Sequence, residues 1–313
     1  MIRIFLLILG CTLLFMQQYV IAIETNAQFI IFLTGVVLLG VPHGAADLLV
    51  ATRNADVNKK VFSKLKFLSL YIARLLLFAA ALWLMPTVGI ILFILFAAYH
   101  FGETDLYQFK TDTILGKFFV ISYGMVILCV ILLHHFEDVK PIIQLYQSGK
   151  ENIFFINIIE HNRYLIMTLS GTFFFIITFL YFLANNNADY NEKGEFLIHF
   201  AVILIILFNL PMLLGFTFYF VVWHSVLSIN NIIAYLIKNN TFSQDIIIKQ
   251  ILLYSTLAIV SIILFGLTGF MFIDNNTIAA YTFLGLAVLT APHMQIMHDM
   301  YIRLRINYIQ EKN

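Results

Sequence analysis

The sequence predicts an all-α, polytopic transmembrane helix bundle of about ten spans with both termini in the cytoplasm. Three observations carry that prediction. Hydrophobic residues make up 61% of the 313 and charged residues 11%, against about 45–50% and about 25% in soluble domains, and the mean hydropathy is +0.92. The apolar residues fall in runs near the ~20 residues that cross a hydrocarbon core, without the period-two alternation of barrel strands. The cations sort to one side of those runs. This composition excludes a soluble enzyme, a disordered chain and a secreted disulfide scaffold. A net charge of +1 offers no field for nucleic acid. Cys11 and Cys129 both lie in apolar runs, so neither a disulfide framework nor a thiolate metal site is expected.

The ten spans follow in order. Residues 3–23 open on Arg3, continue through the apolar Ile4–Met16 and close at Gln17 and Gln18. That outline is signal-like, and the segment is read as a retained helix. Spans at 28–50, 65–85, 87–107 and 117–135 follow. A mixed loop at 136–163, apolar over Ile153–Ile159, could lie on the membrane surface. Spans at 164–184, 195–212, 213–237, 247–270 and 276–300 complete the set, and Asn185–Asn191 reads as a polar linker. With the N-terminus inside, fourteen of the 18 Lys and Arg residues fall in cytoplasmic segments. Lys140, Lys150 and Arg163 fall outside, and Arg74 lies within a span. This is the positive-inside bias. Residues 1–313 therefore read as a single integral-membrane domain, with 1–23 as its signal-like first span.

Ionisable side chains inside spans are costly and mark functional sites. The nine histidines are therefore the informative residues. Span two reads Gly40-Val41-Pro42-His43-Gly44-Ala45-Ala46-Asp47. His43 and Asp47 are four apart and share a helix face, so Asp47 is expected to accept the imidazole N–H that a metal would leave free. Pro42 removes a backbone hydrogen bond, and Gly40 and Gly44 are expected to let another helix approach. Span four carries Tyr99-His100-Phe101-Gly102-Glu103, followed by Thr104 and Asp105. Glu103 shares the face of His100, and Asp105 is expected near the membrane surface. Span eight carries Trp223-His224-Ser225, with Phe220 one turn before His224 and Ser228 one turn after it. Span ten carries Pro292-His293-Met294, with His298 and Asp299 beyond.

All four of these spans run from outside to inside. His43, His100, His224 and His293 lie 11 to 17 residues from their outer ends, a spread of roughly 10 Å in depth. Four imidazoles can therefore meet inside the bilayer if the helices are neighbours. Such a donor set suits Fe, Cu or Zn and not magnesium or calcium. His199 reads as a helix–helix hydrogen-bonding residue, His134 and His135 as outer-interface residues, and His161 as a loop residue. His298 falls at the inner headgroup level.

Together these segments resemble the Brp/Blh-type β-carotene 15,15′-dioxygenases, membrane proteins of bacteria and archaea. The resemblance rests on Pro42-His43-Gly44 with Asp47, Tyr99-His100-Phe101-Gly102, Trp223-His224-Ser225 and Pro292-His293-Met294, in series from about residue 35 to 295. It implies a non-haem Fe(2+) enzyme that cleaves the central double bond of β-carotene with O2 to give two molecules of retinal. It also implies a lipid-soluble carotenoid substrate and a retinal-accepting rhodopsin as partner. His43, His100 and His224 match three of the family's proposed ligands. The usual fourth, a histidine one turn after His224, is replaced by Ser228, which leaves His293 as the candidate to complete the set. Asp47, Glu103 and Ser228 would stand behind the ligands, Tyr99, Phe101, Phe220 and Trp223 would line a substrate tunnel, and no catalytic side chain is expected beyond the metal ligands. Two other readings stay open: a non-catalytic carotenoid- or retinal-binding or assembly protein, and a His/Asp proton-relay transporter.

Overall fold

The computed structural model describes all residues except 146–149, 186–189, 239–242, 270–274 and 313. Among the described residues the chain is helix and turn, with no strand. The helices are α1 (Ile2–Val20), α2 (Thr25–Val57), α3 (Lys64–Leu84), α4 (Pro86–Asp105), α5 (Ile114–His134) and α6 (Phe136–Leu145). They continue with α7 (Lys150–Ala184), α8 (Tyr190–Asn209), α9 (Met212–Ile237), α10 (Gln244–Gly269) and α11 (Asn275–Lys312). Eight of these, α1 to α5, α7, α9 and α10, contain described stretches long and apolar enough to cross a membrane. The expected spans at 195–212 and 276–300 fall on α8 and α11, which are helical but not among the eight. In α8 the first turns carry Glu192, Lys193 and Glu195. The loop expected at 136–163 is instead mostly helical: α6 forms from Phe136, and α7 begins at Lys150 rather than at 164.

Local chemistry explains several boundaries. Pro86 stands at the first position of α4, where its missing N–H costs nothing and its φ is already helical. The Thr113 hydroxyl accepts from the Gly116 N–H at 3.0 Å and caps α5. At the end of α3, Trp83 is 84% exposed, as expected of an indole facing lipid or the interface.

Lipid tails are as apolar as leucine, so packing rather than water expulsion must hold such helices together. Among the described residues, α4 and α5 cross with their backbones in contact. A Cβ added at Gly102 would lie 2.0 Å from the Val120 carbonyl oxygen, and one at Gly124 would lie 1.9 Å from that of Ala98. The two glycines thus let two backbones touch, and the contact fixes the height and rotation of the helix that carries His100. The expectation for Gly40 and Gly44 is corrected. A Cβ at Gly40 would meet only ordinary contacts with Val36 and Phe220, and one at Gly44 would meet nothing within 4 Å. Gly44 faces a cavity, not a helix.

Among the described residues, four segments widen from α to π geometry: Met16–Val20, Val36–Gly40, Val130–His134 and Thr217–His224. Two of them adjoin the intramembrane histidines. Val36–Gly40 lies immediately before Pro42 and His43, and Thr217–His224 ends on His224 itself. Such bulges redirect the side chains that follow and recur at functional sites.

Candidate metal centre

Three histidines from three helices converge. His43 (α2), His100 (α4) and His224 (α9) each offer one ring nitrogen within 4.8 Å of the others. Their exposures are 6%, 2% and 0%. The His100 and His224 ring centroids are 4.8 Å apart, and those of His43 and His224 are 5.6 Å apart. His293 (α11) stands beside the three, its ring 5.0 Å from both His43 and His100. The rings meet at 74–85°, edge to face, rather than stacking. Phe220 stacks on His224 with centroids 6.0 Å apart and planes at 14°, as their spacing of four predicts.

The donor chemistry fits a metal. His43 Nδ1, both nitrogens of His100, both of His224, and His293 Nε2 are buried without a hydrogen-bond partner. Each such orphan costs about 1–3 kcal/mol. A cation taking lone pairs from several rings would remove much of that cost. Neutral imidazoles, with no thiolate among them, are the donor set that suits Fe, Cu or Zn.

The carboxylates pair differently from the local expectation. Asp47 does not bond His43. Its Oδ1 lies 2.6 Å from Nδ1 of His293, and its Oδ2 accepts from the Tyr71 hydroxyl at 3.0 Å. The cause lies in the backbone: Ala46 (φ −75°, ψ −7°) breaks α2 between His43 and Asp47, so the carboxylate turns away from the His43 face. Glu103 likewise serves α11. Its Oε1 lies 2.5 Å from Nδ1 of His298, and His100 keeps both nitrogens free of hydrogen bonds. Asp47 and Glu103 thus each grip a histidine of the last helix.

Asp105 is not at a surface either, being 3% exposed. It accepts from Tyr123 Oη at 2.6 Å and Tyr219 Oη at 3.1 Å, and Trp223 Nε1 lies 3.0 Å from both its oxygens. Its backbone carbonyl accepts from Arg3 at 2.8 Å. One carboxylate therefore ties the end of α4, five residues past His100, to the residue before His224.

The histidines open into an apolar cavity of about 340 Å³, within the usual range for small-molecule sites. Phe101 and Phe220 line it together with Tyr71, Phe93 and Phe283. Tyr99 and Trp223 are corrected as tunnel residues. Tyr99 packs on the ring of His298, 5.8 Å between centroids, and the Trp223 indole is turned to Asp105. Ser228 is fully buried but is not a wall of the cavity. His134 stacks on Phe208, His199 meets the edge of Trp223, and His161 lies within α7; none of them lines the cavity.

Tyr71, Asp105 and the His298–Glu103 pair escape sequence reasoning. Asp105 carried a signal, a carboxylate at the end of an apolar run. Tyr71 carried none beyond being a polar tip in α3.

A family model described as beta-carotene 15,15′-dioxygenase matches residues 34–301, a stretch that includes all four histidines. No curated protein matches the chain, and no solved structure does. The match spans most of the sequence, and the chain belongs to the beta-carotene 15,15′-dioxygenase family.

Proposed function

We propose that this protein is a membrane non-haem iron dioxygenase that cleaves the central 15,15′ double bond of β-carotene with O2, giving two molecules of all-trans-retinal. The observation that carries this reading is the opening of the buried histidine cluster directly into a hydrocarbon-walled cavity. A substrate confined to lipid can reach such a cluster without crossing water. In the reaction the carbon–carbon double bond breaks, and each of its carbons takes one atom of O2 to become an aldehyde.

His43, His100 and His224 would hold the iron, with His293 as the fourth ligand in place of the family histidine that Ser228 replaces. Bound there, Fe(2+) would supply the activation of dioxygen beside the polyene. The remaining work falls to the chain. Asp47 accepts the Nδ1–H of His293, which sets the tautomer and aims Nε2 into the cluster. Tyr71 donates to the second oxygen of Asp47 and keeps that carboxylate oriented. Asp105 holds α4 and α9 together next to two of the ligands. Phe101 and Phe220 wall the histidines with hydrocarbon and keep water from them. Gly44 leaves open space where a side chain would intrude.

The test is expression in cells that accumulate β-carotene, with iron supplied, followed by pigment extraction. Loss of orange colour with stoichiometric retinal is the expected result. Retained colour with verified membrane expression overturns the catalytic reading.

A further inference from the structure

A second compartment of about 140 Å³ adjoins the histidine cavity, and Phe93, Leu132, Phe216 and Phe283 line both. Among the described residues its walls are hydrocarbon or thioether throughout. They offer no hydrogen bond to any guest, so a polar ligand would lose its water there without return. The compartment runs toward the N-terminal end of α4. At 1.5 Å per residue, Ile90 stands about 15 Å and Pro86 about 21 Å from His100 along that helix.

α6 and the first part of α7 roof the part of the compartment that the histidine cavity does not share. Phe136 and Ile143 of α6, with Phe155 of α7, face inward. The polar sides of the same two helices are pinned together by Lys140–Glu160 and Arg163–Glu137, each at 2.8 Å. The roof is therefore a clasped pair of helices rather than a loose loop, and it gives the compartment a definite depth.

We propose that this compartment seats the terminal ring of one polyene arm, and that its depth decides which double bond lies at the histidines. The inference rests on the carotenoid-cleavage reading above. A guest that enters ring first stops at the roof, and the bond left beside His43, His100 and His224 is set by the length of chain behind it. Central cleavage then follows from a compartment as deep as half the molecule is long. No hydrogen bond to the substrate is needed to choose the bond.

Ile90→Trp tests this by making the compartment shallower while leaving the histidines in place. Purified protein is loaded with β-carotene, the aldehydes are separated by mass, and bound metal is counted. The expected result is wild-type metal content, at least tenfold less retinal, and a pair of unequal aldehydes from cleavage nearer one end. Retinal as the sole product at the wild-type rate overturns the proposal. Should Ile90→Trp fail to fold or lose metal, Phe155→Ala, which adds depth without bulk, decides: unequal aldehydes support the seat, and an unchanged product refutes it. If the wild type makes no aldehyde, the cleavage reading fails and the seat is judged by binding alone. About tenfold less β-carotene retained by Ile90→Trp than by wild type then upholds it. Equal retention, or membrane lipid that β-carotene does not displace, sinks it.

Discussion

Replacing Asp105 with asparagine keeps the shape of the side chain and removes its charge. Two phenols and an indole now point at this carboxylate. Trp223 Nε1 is equidistant from both oxygens, and both phenols bond Oδ2, so the single amide oxygen of the variant side chain can still receive all three donors, while its amide nitrogen is left donor against donor, 3.0 Å from the indole nitrogen. What disappears is the charge assistance. Hydrogen bonds to a charged group contribute about 1.5–3 kcal/mol and neutral ones about 0.5–1.5, so three bonds each lose about 1 kcal/mol. The expected destabilisation is at least about 3 kcal/mol, the unpaired amide N–H adding to the lost charge assistance, measured as the shift in unfolding free energy of the detergent-solubilised, metal-free protein titrated with SDS. Because the clamp joins the helices of His100 and His224, Co(II) affinity should also fall about tenfold, in the range seen when partners behind metal ligands are removed. An Asp105→Asn protein within about 0.5 kcal/mol of wild type, with unchanged Co(II) affinity and spectrum, would refute the reasoning.

Three further outcomes are expected. His100→Ala should lower bound iron and abolish retinal formation while the protein still inserts; unchanged iron and turnover would reject it as a ligand. Asp47→Asn should weaken metal retention about 10- to 100-fold by freeing the His293 ring, and Tyr71→Phe should act in the same direction but less, both read by chelator competition. Gly102→Ala should disrupt the bundle because its methyl carbon meets the Val120 carbonyl at 2.0 Å, whereas Gly44→Ala should be tolerated; thermal unfolding of the two side by side checks this, and equal melting would count against the α4–α5 contact as the anchor of His100.

Much of the site was legible because intramembrane histidines are expensive. His43, His100, His224 and His293 stand out from a sequence that is 61% hydrophobic, and depth counting along the helices placed them within roughly 10 Å of one another in depth. The carboxylate pairings were not legible. Spacings of three and four residues pair Glu103 with His100 and Asp47 with His43, but a helix spacing states only what can meet on one unbroken helix. The break at Ala46 and the arrival of α11 with His293 and His298 offered the carboxylates better partners. Trp223 departs from expectation for a related reason: an aromatic next to a ligand in sequence projects from a different face, and here that face meets Asp105.

The membrane class, the sites of most helices and the identity of the buried imidazoles follow from the sequence alone. Each depends on a one-dimensional quantity, the cost of placing a given residue at a given depth in hydrocarbon. Which carboxylate grips which histidine, which aromatics wall the cavity, and where a second compartment ends were decided only when helices crossed. Those outcomes depend on rotation and backbone distance, set by contacts such as Gly102 against Val120 and by the π turns before His43 and up to His224, between residues far apart in the chain.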